Sequence, residues 1–199
     1  MVWEFTECLV LENKFMKYIH DKVLVIPGSF SLVSVYEGYK GIDIWLKKNE
    51  SVEIGENDWI IAHSAGVNYL LSQNISNNQK IILINPLVKK RKFISLVIRD
   101  IEFFIAEGMK KAKIIPLSSW FYASKKVLRL LRINVLENLQ KLPKENIVII
   151  RGVKDYYFCD SENAELIKKE GFALFEVDAA HNWNQNIANK VEEIIKNVK

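Results

Sequence analysis

Five short runs of aliphatic residues alternate along the chain with stretches whose apolar positions recur at helical spacing. The runs are KVLVIPG at 22–28, DWIIAHS at 58–64, KIILINP at 80–86, NIVIIRG at 146–152 and FALFEVD at 172–178. Nearly unbroken Val, Ile and Leu are typical of strands that are buried on both faces. Because strands alternate with helices, the pattern predicts an α/β fold with a mostly parallel sheet, flanked by helices and joined by right-handed crossovers.

Two helices are predicted with clear signals, one from its end residues and one from its periodicity. Between the last two runs, Asp160 is a suitable N-cap, AELIKKE forms the helix body, and Gly171 is suited to the left-handed residue that ends a helix. After the fifth run, apolar residues repeat at helical spacing, at Ile187, Val191, Ile194 and Ile195. This spacing predicts an amphipathic helix that closes the chain.

The segment from Val88 to Pro143 interrupts the alternation. It has no convincing strand, and its sequence predicts helices divided around Pro116. The segment contains thirteen Lys or Arg and four Asp or Glu, so it carries +9, whereas the whole chain carries +4. We therefore expect an inserted, basic helical lid at about 88–143. KKRK at 89–92 is interpreted as a solvated helix face, so no nucleic-acid partner is expected.

Length and composition favour one domain over residues 1–199, with a well-formed core. The start of the chain has no pattern typical of a secretory leader, and no apolar run is long enough to cross a bilayer, so a cytoplasmic protein is expected. Cys8 and Cys159 lie far apart and predict neither a disulfide framework nor a zinc site, only small apolar residues. Oligomeric state is left open.

Metal and nucleotide chemistry have no support in the sequence. The chain has three histidines without an H-x-x-x-H spacing, and IPGSFSL lacks the lysine of a P-loop. We therefore expect no metal and no cofactor.

The second run ends in AHSAG and continues directly as a helix-like pattern. A strand that passes straight into a helix must turn sharply, which places Ser64 in a strained conformation with little space around it. Small residues two positions before and after the serine, Ala62 and Gly66, relieve the crowding. The following helix, from near Ala65, directs its first N–H groups towards the serine, where they can stabilise negative charge.

In these features the chain resembles the α/β-hydrolase superfamily, whose pattern G-x-S-x-G has Ala here in place of the first Gly. The resemblance extends over most of the chain outside the first twenty residues and the insert. It implies a nucleophilic serine, an acid and a histidine in that order, each after a later strand. Ser64, Asp155 in RGVKD and His181 in DAAHNW have this order, and the loops that carry them are expected at one edge of the sheet.

The resemblance also implies a role for each residue. Ser64 is the expected nucleophile, His181 the base that takes its proton, and Asp155 the group that orients the imidazole. The expected oxyanion hole has the N–H of Ala65 as one donor. The other donor is expected in PGSF, with Ser29 as first choice and Phe30 as second; Pro27-Gly28 replaces the His-Gly that is frequent in the family.

Other residues compete for these roles. Asp160 is an alternative acid, although its position suits a helix cap better. His63 is expected to bond locally beside the serine rather than to take its proton. Four aromatic residues are interpreted either as the lining of an acyl pocket or as core and lid packing: Trp120, Phe121, Tyr122 and Trp183.

The sequence therefore predicts a serine hydrolase that cleaves a small-molecule ester or thioester through an acyl-enzyme. Two alternatives stay open: a non-catalytic binding module on the same fold, and a peptidase or amidase with the same triad. A basic lid further suggests tolerance of anionic substrates such as acyl-CoA esters.

Overall fold

The computed structural model describes residues 23–47, 58–91, 93–108 and 114–197. Within these ranges six strands form one sheet in which every pair of neighbours is parallel. The strands are β1 (Val23–Ile26), β2 (Lys40–Gly41), β3 (Trp59–His63), β4 (Lys80–Ile84), β5 (Ile147–Gly152) and β6 (Ala173–Val177). All five predicted strands are confirmed, and β2 is an addition.

The sheet has the order β2-β1-β3-β4-β5-β6. Strand β2 was missed because it has only two residues, Lys40 and Gly41, both exposed. Its glycine is required by close approach to β1, since a Cβ at Gly41 would lie 2.3 Å from the carbonyl oxygen of Val25. Because all strands are parallel, the loops that follow their carboxyl ends share one edge of the sheet.

Six α-helices are present in the described chain: α1 (Ala65–Leu70), α2 (Phe93–Phe103), α3 (Trp120–Leu130), α4 (Val135–Leu139), α5 (Ser161–Lys169) and α6 (Gln185–Asn197). The predicted boundaries of α5 are confirmed. Asp160 is its N-cap and accepts a hydrogen bond from the Asn163 N–H, and Gly171 follows its end with a φ of 75°.

Strands β1, β3, β4 and β5 are covered on both faces, as their aliphatic runs predicted. The fifth run forms the edge strand β6, which has no buried residue, so the prediction of burial on both faces is wrong for it. In β3, Ile60 and Ala62 belong to one hydrophobic cluster, whereas Trp59 and Ile61 belong to the other. Helices α1, α3 and α4 pack on the first side, and α6 packs on the second through Ile187, Val191 and Ile194. Burial on two faces holds the strands in register, so their carboxyl ends form a firm platform.

The chain between β4 and β5 is helical, with α2, α3 and α4 and a π-helical turn at Phe104–Gly108 that continues α2. In its described part, extended pairing is limited to one isolated bridge between Ile114 and Ser31. Apolar side chains of α2 and its π-helical turn face solvent: Ile94, Ile98 and Ile101 of the helix and Ile105 of the turn. Residues 1–22 and 109–113, with Cys8 and His20, lie outside the described ranges, and the single domain with a lid over 88–143 stays a prediction.

Cys159 is buried, as expected for a small apolar residue. Over the described ranges, every helix is too short or too polar to span a lipid bilayer.

Candidate active site

Ser64 lies between the end of β3 and the first residue of α1. Its backbone has φ 52° and ψ −125°, in a region that costs a non-glycine residue on the order of 1–3 kcal/mol. A Cβ at Gly66 would lie 2.6 Å from the carbonyl oxygen of Ile26 and 2.7 Å from that of Pro27. The strained serine and the need for a small residue two positions later are therefore observed, and the turn exposes Ser64 Oγ at the sheet edge.

The three residues proposed from the sequence form one hydrogen-bonded series. His181 Nε2 lies 2.9 Å from Ser64 Oγ, and His181 Nδ1 lies 2.7 Å from Asp155 Oδ2. The residues come from three loops, after β3, β5 and β6. Both distances are within the range of a hydrogen bond, so a proton can pass from the hydroxyl to the imidazole without rearrangement.

Asp155 is fully buried, and its own loop surrounds its carboxylate with donors. The N–H groups of Tyr157 and Phe158 donate to Oδ1, and that of Cys159 donates to Oδ2. Burial acts to raise the pKa of Asp155, but the charge and hydrogen bond of His181 and the loop N–H groups outweigh it, and the pKa is lowered to about 2. Asp155 is therefore ionised throughout the neutral range.

The alternative acid, Asp160, has a different role. Its carboxylate caps α5, and it also forms ion pairs with Arg91 and Arg99 of the insert. Arg99 Nη1 donates in addition to the carbonyl oxygens of Tyr156 and Tyr157, at 2.9 and 3.0 Å. Asp160 thus ties the insert to the loop that carries Asp155, while Asp155 holds the histidine.

The predicted oxyanion donors flank Ser64. Ala65 is the first residue of α1, and Ser29 and Phe30 lie in the loop after β1. Among the described residues, the N–H groups of Ala65 and Ser29 have no protein acceptor. The loop is held in a tight turn, with a Ser31 N–H to Gly28 C=O bond of 3.1 Å and a φ of 57° at Phe30.

A buried chain of hydrogen bonds connects this loop with His181. The Gly28 N–H donates to the Tyr36 hydroxyl at 3.1 Å, and that hydroxyl lies 2.6 Å from His63 Nδ1. His63 Nε2 lies 2.9 Å from the carbonyl oxygen of His181. Since a carbonyl only accepts, Nε2 of a neutral His63 carries the proton, and Tyr36 donates to Nδ1. His63 therefore bonds beside the serine, as expected.

Burial determines the ionisation of this chain. It lowers the pKa of His63 to about 3, assisted by the charge of His181, and it raises the pKa of Tyr36 above its usual value. Both side chains are uncharged at neutral pH. The chain therefore positions its neighbours without competing for the proton of Ser64.

Asn85, at the end of β4, is a second positioning residue that sequence reasoning missed. It is fully buried, with φ 47°, and its Nδ2 donates to the His181 carbonyl oxygen at 2.7 Å. Its Oδ1 accepts the Gly152 N–H at 2.8 Å. Asn85 therefore joins β5 to the loop that carries His181. The only signal in the sequence was a polar residue directly after an aliphatic run.

A small, mainly apolar recess of about 50 Å³ opens at Ser64 and His181. Phe30 and Trp120 form one wall with ring centroids 5.5 Å apart, while Phe103 and Phe158 pack against the imidazole at 5.1 and 4.6 Å. Trp120 therefore lines the recess.

The other three aromatic residues lie elsewhere. Phe121 is exposed to solvent. Tyr122 accepts a hydrogen bond from Lys126 at 3.2 Å. Trp183 borders a second cavity of about 330 Å³, which shares Ser31, His63 and Asn182 with the first recess.

Solved structures with similar folds are known. An N-formylmaleamic acid deformylase from Pseudomonas putida S16 is 15% identical and has a TM-score of 0.54; the match covers 89% of this chain and 91% of that one. A carboxylesterase structure from the ammonia-oxidizing thaumarchaeon Nitrososphaera gargenis is 16% identical with a TM-score of 0.52, over 88% and 90%. Family models and curated proteins yielded no match. The chain thus has the α/β-hydrolase fold.

Proposed function

We propose that this α/β-hydrolase-fold chain is a serine hydrolase that cleaves a small ester or thioester through an acyl-enzyme on Ser64. The observation that carries the proposal is the continuous series from Ser64 Oγ through His181 to Asp155, at 2.9 and 2.7 Å. Three residues distant in sequence meet at one sheet edge in the order of a nucleophile, a base and an orienting acid.

Acylation begins when Ser64 Oγ attacks the substrate carbonyl carbon and His181 Nε2 takes the hydroxyl proton. The carbonyl electrons move to its oxygen, and the N–H groups of Ala65 and of Ser29 or Phe30 are the proposed donors to this oxyanion. As the tetrahedral intermediate collapses, the bond to the leaving group breaks, and His181 returns the proton to the departing alcohol or thiol.

Deacylation repeats these steps with water. His181 removes a proton from the water as its oxygen attacks the acyl carbon, and the proton then returns to Ser64 Oγ when the carboxylic acid departs. The ionised Asp155 keeps Nδ1 protonated and stabilises the imidazolium in both halves of the reaction. The buried bonds from Asn85 and His63 to the His181 carbonyl oxygen hold the loop in place meanwhile.

The recess at Ser64 supports a preference for short acyl chains. A cavity of about 50 Å³ is small beside the ~300–1,000 Å³ of sites for drug-sized ligands. Its aromatic and aliphatic walls favour an unbranched apolar acyl group.

A panel of p-nitrophenyl esters with acyl chains of increasing length tests this function. We expect kcat/KM to be highest for the shortest esters and to vanish in Ser64→Ala, which serves as the blank. A matched set of p-nitroanilides distinguishes ester from amide cleavage. Equal turnover by the wild type and Ser64→Ala would contradict the proposal.

A further inference from the structure

The larger cavity beside the site has a chemistry unlike that of the apolar recess. Its volume is about 330 Å³, and its lining includes Glu107, Trp183, Tyr36, Asn182 and Asn184. Polar and aromatic residues thus line a cavity directly beside the apolar recess, since Ser31, His63 and Asn182 border both.

Glu107 is the charged side chain in this lining. It lies on the π-helical turn that continues α2, so the insert brings it to the site. The pKa of Glu107 is raised above its usual value because burial outweighs the opposing charge and backbone N–H of the neighbouring His181. Within the described chain, no Lys or Arg forms an ion pair with this carboxylate. A half-buried carboxylate of this kind favours a cationic ligand group.

Aromatic faces reinforce that preference. Trp183 packs beside Tyr36 with ring centroids 4.9 Å apart and beside Tyr39 at 6.0 Å. The faces of Trp and Tyr attract ammonium groups, and such rings recur in sites for quaternary ammonium ligands. A carboxylate and an indole around one cavity are therefore complementary to an organic ammonium ion.

Three basic residues in the described part of the insert have partners outside the cavity. Arg91 and Arg99 pair with Asp160, and Lys126 donates to the Ile44 carbonyl oxygen at 2.9 Å. Among the described residues that line the cavity, Glu107 is the one that carries a charge at neutral pH.

From this lining we infer that the cavity binds the ammonium group of the substrate's leaving alcohol, so that the hydrolase prefers short-chain esters of amino alcohols. The inference rests on the proposed function. The acyl group would occupy the apolar recess at Ser64, and the leaving group would lie along the 180–184 loop, next to the imidazole that protonates it.

Binding of choline tests the cavity independently of catalysis. Isothermal titration calorimetry of the full chain with choline, and with 3,3-dimethyl-1-butanol as its uncharged isostere, should detect choline alone. Glu107→Gln should weaken choline binding about tenfold. Glu102→Gln, which removes the same charge from an exposed position of α2, should leave it unchanged. Equal binding of both ligands, or equal binding by both variants, would overturn the inference.

Kinetics separate this inference from the proposed function. The wild type should cleave acetylcholine with a kcat/KM about tenfold above that for 3,3-dimethylbutyl acetate, and Glu107→Gln should bring the ratio of these two kcat/KM values to about one. Cleavage of both esters without a preference would contradict the ammonium site but not the proposed hydrolase activity. Choline binding without any ester cleavage would contradict the proposed hydrolase activity but not the ammonium site.

Discussion

The sheet and the helical insert are built by different physical means. The strands β3 and β4 are buried on both faces, mainly by aliphatic side chains. In contrast, α2 and its π-helical turn present four isoleucines to solvent, and this part of the insert is held by ion pairs of Arg91 and Arg99 with Asp160. Packed apolar surface is non-directional and strong in sum, whereas ion pairs are directional and a partly exposed one, such as that of Arg99, contributes little.

This difference corresponds to a division of the site. Ser64, Asp155 and His181 follow strands of the sheet, so their geometry depends on the firm part of the molecule. Phe103, Glu107 and Trp120 come from the insert and line the recesses. We infer that the sheet determines the reaction and the insert selects the substrate. Changes in the sheet should therefore alter chemistry or folding, and changes in the insert should alter specificity.

The largest expected effect concerns Asp155. Asp155→Asn should lower kcat by up to about 10⁴-fold, because a neutral amide neither fixes the tautomer of His181 nor stabilises its cation. Ester turnover under saturating substrate measures the loss. Asp160→Asn, in the same loop, is the matched control and should retain most of kcat while weakening the attachment of the insert. An equal loss in both variants would place the acid function in doubt.

The next largest effect is expected at Gly66 and concerns the stability of the fold. Gly66→Ala places a methyl group against the carbonyl oxygens of Ile26 and Pro27, so the free energy of unfolding should fall by about 3 kcal/mol. Urea denaturation measures the change.

Gly171→Ala is the comparison for Gly66→Ala. That position has φ 75°, but its nearest neighbour to an added Cβ lies 3.9 Å away, so only the left-handed backbone is penalised, by about 1 kcal/mol. If Gly66→Ala proved the milder change, the crowded turn described for Ser64 would be incorrect.

Stability should also depend on pH through His63. Its pKa is lowered from 6.5 to about 3 in the folded chain, so below pH 6.5 the unfolded chain binds a proton that the folded chain does not. The stability that the folded chain gains from its neutral, buried His63 is therefore complete above pH 6.5. As the pH falls from 6.5 towards 3, the free energy of unfolding decreases by up to about 1.4 kcal/mol per pH unit.

His63→Gln isolates this contribution, because other titrating groups are common to both proteins. The free energies of unfolding of the wild type and of His63→Gln should converge between pH 7 and pH 4.5, because the wild type loses more stability than the variant. Parallel curves would mean that His63 is not buried in its neutral form.

The smallest effect on the whole fold is expected in the insert. Arg99→Met removes the bonds to Tyr156, Tyr157 and Asp160 and should lower the unfolding free energy by less than about 1 kcal/mol. Hydrogen exchange should nevertheless accelerate over 93–108 and stay slow in β4 and β5. A uniform acceleration would show that insert and sheet unfold together.

Much of the sheet was predictable because burial on both faces leaves a direct trace in sequence. Unbroken aliphatic runs identified five strands, and Gly66 and Gly171 marked positions with specific backbone needs. Strand β2 left no such trace, since two exposed residues are too few to show a periodicity or an aliphatic composition.

The site was predictable only where a local pattern existed. AHSAG and chain order pointed to Ser64, Asp155 and His181, and the structure places these within hydrogen-bonding distance. Tyr36, Asn85 and Glu107 were missed because their significance comes from contacts with residues far away in sequence. The net charge of the insert has the same limit as a signal, because it does not say which side chains face the cavity.

Covalent labelling tests the central claim, that the platform of strands presents an activated serine, most directly. Incubation with a fluorophosphonate followed by intact-mass spectrometry and peptide mapping should give one adduct, on Ser64. Labelling should be absent in Ser64→Ala and strongly slowed in Asp155→Asn, but not in Asp160→Asn. An unmodified wild type, or an adduct that persists in Ser64→Ala, would contradict the account.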